Sequence, residues 1–182
     1  NYFYNPSLIA LNNTTRFSFT HNQQFFDLGS NSISVASKIW GFPLALNLNT
    51  TSVDNIEVRS QAGPATATFN ANFFAATLGS GYQFNDNFSF GIALKFIYEE
   101  LFNQDASGLG FDIGVTYSGL IENLSVGASM KNIGSMSALA KESTKLPADF
   151  RLGGEYSYPV ESAKINLIGL AGFQKYLDDD ES

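Results

Sequence analysis

Apolar residues recur at every second position along much of this 182-residue chain. Phe88, Phe90, Ile92, Leu94, Phe96 and Tyr98 share one parity, and Ser89, Gly91, Ala93, Lys95 and Ile97 share the other. The pattern returns as Leu109, Phe111, Ile113, Val115 and Tyr117 against Gly110, Asp112, Gly114 and Thr116. A period of two is that of a β-strand, in which successive side chains point to opposite faces. Nine strands are expected on this basis, over roughly 14–20, 32–40, 43–50, 68–84, 88–98, 109–118, 124–132, 148–158 and 163–174.

The connections alternate in length. Residues 21–31, 51–67, 99–108 and 133–147 read as long loops. Those from Gly41 to Phe42, through Asn85-Asp86-Asn87, from Gly119 to Asn123 and from Pro159 to Ser162 are short and carry Asn, Asp, Gly and Pro suited to turns. One trimmed end and one elaborated end, with strands of about ten residues ending in aromatics, is the arrangement of outer-membrane barrels.

Side-chain chemistry extends this picture. Ser125, Gly127, Ser129 and Lys131, or Arg151, Gly153, Glu155 and Ser157, give a face of small residues and mixed charges that suits a lumen. The opposite face, Leu124, Val126, Ala128 and Met130, or Phe150, Leu152, Gly154, Tyr156 and Tyr158, suits lipid. A soluble antiparallel sheet would turn a Lys-, Glu- and Thr-rich face to water. The fold class expected is all-β, an antiparallel transmembrane β-barrel; a soluble β-sandwich is the rival. Bacterial barrels close with an even strand count, and an open edge in lipid leaves backbone groups unpaired. Nine strands are therefore expected to be the N-terminal part of a larger barrel.

Composition changes the picture mainly by exclusion. Charged residues make up 15%, against about 25% in ordinary soluble domains. Seventeen Phe and eight Tyr against two Met and one Trp favour sheet, and no apolar run is long enough for a transmembrane helix. A net charge of −7 without a Lys/Arg cluster argues against nucleic acid. The absence of cysteine removes disulfides, thiolate chemistry and Cys-ligated zinc.

No nucleophile elbow, His-Glu-x-x-His or P-loop occurs. His21, the only histidine, stands in a polar His21-Asn22-Gln23-Gln24 stretch without a catalytic partner. Neither an enzyme nor a cofactor nor a metal is expected. Asp178, Asp179, Asp180 and Glu181 lack the alternating spacing of a calcium loop and read as a solvated loop apex. The sequons at Asn13, Asn49, Asn87 and Asn123 reflect an Asn-, Ser- and Thr-rich composition.

Asp112, Lys131, Arg151 and Glu155 share the lumen parity. They read as a cross-strand charge network bracing the wall, or as the lining of a substrate path. Trp40, Tyr98, Tyr117, Tyr156 and Tyr158 are expected in interfacial belts. If the long loops face partners, Ile56, Val58, Met136 and Leu139 would be exposed apolar anchors.

Five segments, in order, resemble the PorV and PorQ family of outer-membrane proteins, FadL-like barrels associated with type IX secretion. They are Asn1-Tyr2-Phe3-Tyr4-Asn5-Pro6-Ser7-Leu8-Ile9-Ala10, Phe90-Gly91-Ile92-Ala93-Leu94-Lys95-Phe96-Ile97-Tyr98, and Gly110-Phe111-Asp112-Ile113-Gly114-Val115. Leu124-Ser125-Val126-Gly127-Ala128-Ser129-Met130-Lys131-Asn132-Ile133-Gly134 and Leu146-Pro147-Ala148-Asp149-Phe150-Arg151-Leu152-Gly153 complete the set. The resemblance implies a non-enzymatic barrel of about fourteen strands when complete. It also implies that residues 1–13 form a hatch inside the barrel, with Asn5, Pro6 and Ser7 matching a functional Asn-Pro-Ala motif. Ser7 departs from that motif in FadL proper. The partners implied are the outer-membrane bilayer and secretion-machinery or secreted cargo proteins. The alternative is a FadL-like channel for hydrophobic small molecules, with a lipid or similar ligand.

Overall fold

In the computed structural model, residues 2–24, 28–59, 63, 65–102, 104–137 and 144–177 are described. Their strands are β1 (Arg16–Gln23), β2 (Leu28–Ile39), β3 (Phe42–Val58), β4 (Ala67–Gln83), β5 (Phe88–Leu101), β6 (Gln104–Ser118), β7 (Leu124–Met136), β8 (Thr144–Lys145), β9 (Asp149–Val160) and β10 (Ile165–Tyr176). Nine of them run side by side in one antiparallel sheet, in the order β1-β2-β3-β4-β5-β6-β7-β9-β10. The two-residue β8 pairs with the far end of β7. β8 and β9 thus line the same flank of β7, interrupted at 146–148, where Pro147 has no N–H to give a ladder. Among the described residues β1 and β10 are unpaired edges, so the sheet is open.

The expected parity governs burial, with the sides reversed from a water-soluble core. On β6, Ala106, Gly108, Gly110, Asp112, Gly114 and Thr116 are buried, while Leu109, Phe111, Ile113, Val115 and Tyr117 are exposed. β5 repeats this with Ser89, Gly91 and Ala93 buried and Phe90, Ile92 and Leu94 exposed. Register joins the outward residues into rows. One runs Phe17, Val35, Leu46, Leu78, Leu94, Phe111, Ile133 across seven consecutive strands without a polar residue. Leaving such side chains in water forgoes roughly 1.5–3 kcal/mol each.

The inner face wraps the N-terminal segment, residues 2–12. Its 3₁₀ turn (Pro6–Ile9) packs against β3, β4, β5 and β6. Tyr2 lies 6.0 Å beneath the Arg16 guanidinium of β1, and Tyr4 lies 4.9 Å from that of Arg151 on β9. Seven strand intervals separate β1 from β9, about 34 Å if the sheet were flat. So short a segment serves both because the sheet curls around it. The buried core is correspondingly slight: Ile9 against Ala36 and Ala45, with Tyr2 and Phe3 packed on it.

Several strands are longer than their apolar pattern suggests. β3 runs 17 residues, β5 runs 14 and β6 runs 15, whereas β4, also of 17 residues, has the length expected for 68–84. Among the described residues, much of 21–31, 51–67, 99–108 and 133–147 is therefore strand rather than loop, and Leu101 at the end of β5 pairs with Gln104 at the start of β6. The physical reason is an exchange of polarity between the faces. Beyond the apolar rows the outward positions become Ser52, Asn72, Glu100 and Asp105, which pair across β3–β6. The inward positions at this level are mostly apolar, Val53, Ala71, Phe73, Ile97, Leu101 and Ala106, with Thr51, Glu99 and Gln104 among them. The period of two continues with its chemistry largely exchanged.

At the opposite end the turns are tight. Trp40 (φ 50°) and Gly41 (φ 87°) both take positive φ between β2 and β3, as a two-residue type I′ hairpin turn requires. At 84–87, Asn85 Oδ1 accepts from the backbone N–H groups of Asn87 (2.9 Å) and Phe88 (2.8 Å). Gly41→Val places a β-branched residue in the left-handed region, and a stability loss of about 1–2 kcal/mol is expected. Urea unfolding of the refolded protein checks this; Gly41→Asn, which tolerates that conformation, should retain most of the stability.

Candidate functional site

The inner face is built to let another backbone approach its own. Gly81, Gly91 and Gly114 stand in one cross-strand line on β4, β5 and β6. A Cβ on Gly91 would overlap the Pro6 carbonyl, and one on Gly114 the Asn5 side chain. One on Gly81 would lie 2.5 Å from the Ala10 nitrogen. The line continues through Ser129 on β7, whose hydroxyl donates to Tyr4 O (3.0 Å), to Arg151 on β9. The segment thus rests on bare sheet backbone.

Asn5, Pro6 and Ser7 shape the segment and fasten it. Asn5 caps the 3₁₀ turn, its Oδ1 accepting from Ser7 N (3.0 Å), and Pro6 takes the first helical position, where a missing N–H costs nothing. Asn5 Nδ2 donates to Val115 O (3.0 Å) and Thr116 Oγ1 (3.3 Å). Ser7 Oγ donates to Asn5 Oδ1 (2.7 Å) and lies 2.7 Å from Thr116 Oγ1. Each hydroxyl has one proton. With the Ser7 proton on Asn5, Thr116 donates to Ser7, and Asn5, Thr116 and Ser7 close a ring. Ser7 is fully buried, so its hydroxyl depends on these partners.

A charged layer lies beside the segment. Lys131 and Asn132 of β7 both oppose Asp112 in a bulge, with Asn132 at φ 57°. Asp112 Oδ1 accepts from Asn132 N (2.8 Å), and its carboxylate faces Lys95 Nζ (3.4 Å) and Lys131 Nζ (3.6 Å). Asn132 accepts from Lys95 Nζ and donates to Pro147 O (3.2 Å) and Asp149 Oδ2 (3.4 Å). Arg151 grips Asp149 through Nε and Nη2, the latter at 3.2 Å. Three cations meet two carboxylates. The excess positive charge meets the segment: Lys131 Nζ donates to Phe3 O, and Tyr4 presents its ring to Lys131 (5.9 Å) and Arg151 (4.9 Å).

The structure brings Asp112, Lys131 and Arg151 together but leaves Glu155 outside. Glu155 pairs with Ser125, two inward positions beyond Arg151, and is exposed without an ion pair among the described residues. Lys95, Asn132 and Asp149 complete the layer instead. Parity places Lys95 and Asp149 on the inner face, whereas Asn132 enters through the bulge, which alternation does not reveal.

The expected loop anchors stand elsewhere than in loops. Ile56 and Val58 belong to β3, paired with Phe69 and Ala67, and Met136 ends β7 opposite Gly108. They continue the inward apolar set, because the strands run on past the apolar rows. Leu139 and Asp178–Glu181 lie outside the described residues. Of the aromatics assigned to belts, Trp40 is 95% exposed at its turn, and Tyr117, Tyr156 and Tyr158 are exposed on the outer face. His21 on β1 bonds Asn31 through Nδ1 (2.8 Å). No group of His, Cys, Asp and Glu that could hold a metal occurs among the described residues.

Gly91→Val suits a strand by propensity but occupies the space of Pro6. It is expected to release residues 2–12, seen as rapid chymotryptic cleavage at Tyr2 to Leu11, with an unchanged β-sheet circular dichroism signal. Equal protection of variant and parent would show that the segment does not rest on this glycine line.

Compared with family models, with curated proteins and with solved structures, the chain matches none.

Proposed function

We propose that the chain forms part of the wall of a bacterial outer-membrane β-barrel that acts in protein secretion or surface attachment by binding other proteins. Residues 2–12 act as its hatch. The observation that carries the membrane reading is the band of exposed apolar rows on the outer face. From Phe88 to Tyr98 the outward positions of β5 stay apolar or aromatic, about 34 Å along the strand at ~3.4 Å per residue. Tilted by 35–45°, that length gives a height of about 24–28 Å, matching the ~25 Å apolar band of outer-membrane barrels.

Trp40 supports the same reading, since a bulky residue at positive φ is strained. Its ring, free of the fold, suits the membrane–water interface. The polar outward extensions of β3–β6 then stand in water at the opposite end. The secretion role rests on the resemblance to the PorV and PorQ family, carried by the segments at 1–10, 90–98, 110–115, 124–134 and 146–153. Binding rather than catalysis is the mode proposed.

The second reading, a FadL-like channel for hydrophobic small molecules, draws on one cavity. It measures about 610 Å³ beside the hatch and is lined by Tyr4, Leu8 and Leu170 together with Arg151. Deletion of the gene separates the two. The secretion reading predicts loss of surface-anchored proteins and their retention in the periplasm, by mass spectrometry of fractions, with normal uptake of a labelled fatty acid. An unchanged secreted proteome with impaired uptake would replace it by the channel.

A further inference from the structure

The inward apolar set at the end of β3–β6 contains one charged residue. Glu99 on β5 points to the inner face between its partners Phe73 of β4 and Ala106 of β6, with Ile97 and Leu101 at the adjacent inward positions. It is half-buried, and its carboxylate has no hydrogen bond or ion pair among the described residues. Its neighbour Glu100, on the outer face, accepts from Asn72 Nδ2 (3.4 Å). Lys95, the nearest cation on the same face of β5, already serves Asp112 and Asn132. Phe73 and Leu101 remain 41% and 40% exposed although they face inward.

An unpaired carboxylate among apolar side chains lowers its free energy by taking a cation whose own surroundings are apolar. The outer rim adds Glu100 and Asp105, and Asp54 stands exposed at the β3 bulge, while the charge of Glu57 is engaged by Arg59. An apolar floor with acidic edges repels a chain bearing a carboxylate head. It complements an apolar peptide bearing a basic residue. β3 to β6 span three strand intervals, about 14 Å, the length of four extended residues.

We propose that this concave patch at the loop end binds an extended apolar polypeptide segment carrying Lys or Arg, with Glu99 as its ion-pair partner. The inference rests on the reading in which this end of the barrel receives other proteins, and it names the chemistry of the segment received.

The test uses the full chain reconstituted in phosphatidylcholine nanodiscs and two fluorescein-labelled peptides, Val-Phe-Lys-Phe-Val and Val-Phe-Glu-Phe-Val, followed by anisotropy. The Lys peptide is expected to bind saturably and about tenfold more tightly, a difference of ~1.4 kcal/mol. Glu99→Gln should bring the two affinities close together, Glu99→Lys should reverse their order, and Glu100→Gln should change neither. Equal affinities in the parent protein, absence of saturable binding, or an unaltered preference in Glu99→Gln would overturn the proposal. Circular dichroism of each variant excludes misfolding as the cause. A secretion defect on gene deletion together with equal peptide affinities would overturn this inference alone. Lys-selective binding without a secretion defect would leave it standing and remove the secretion role.

Discussion

Everything in this structure depends on which side of the sheet carries bulk. Through the apolar rows, outward positions hold Leu, Ile, Val and Phe and inward positions mostly Gly, Ala, Ser and Thr, so the sheet has almost no interior of its own there. The chain's own fold does not bury the large residues of these rows, because they face away from it. Its inner surface, stripped of side chains, asks for something with a backbone to cover it. Residues 2–12 are that cover, and the curl of the sheet follows from wrapping them.

The contacts of the segment are graded accordingly. Where glycines permit, the contact is backbone on backbone, and little but shape holds it. At Asn5, Ser7 and Thr116 a closed ring of hydrogen bonds fixes depth and orientation. At Lys131 and Arg151 the excess positive charge of the inner layer turns toward the Phe3 carbonyl and the Tyr4 ring. Ser7 makes chemical sense here: an alanine in its place would leave Thr116 and Asn5 each short of a partner.

The parts legible in the sequence are those where parity and chemistry agree. β5 and β6 through their apolar rows are such regions, and nine strands with four tight turns follow directly from the alternation. Legibility fails where the two part company. At Ser52, Glu100 and Asp105 the strand period persists while the polar side changes face, so strand reads as loop. Asn132 reaches the charged layer only through a bulge. Glu155 has the right parity but the wrong row, which only the pairing of Ser125 with Glu155 decides. The seat of the segment is hidden for the same reason. Gly81, Gly91 and Gly114 are far apart in sequence and become one groove only when register aligns them.

On the proposed reading the outer apolar band faces lipid. Leu94 sits mid-band, 66% exposed. The most direct measurement is the unfolding free energy of Leu94→Arg, relative to the parent, for protein folded into phosphatidylcholine vesicles. A lipid-facing position predicts a loss of about 2–4 kcal/mol, with a much smaller effect for Glu100→Arg beyond the band. A change for Leu94→Arg within about 0.5 kcal/mol, as at a water-exposed surface site, would instead place this face in water.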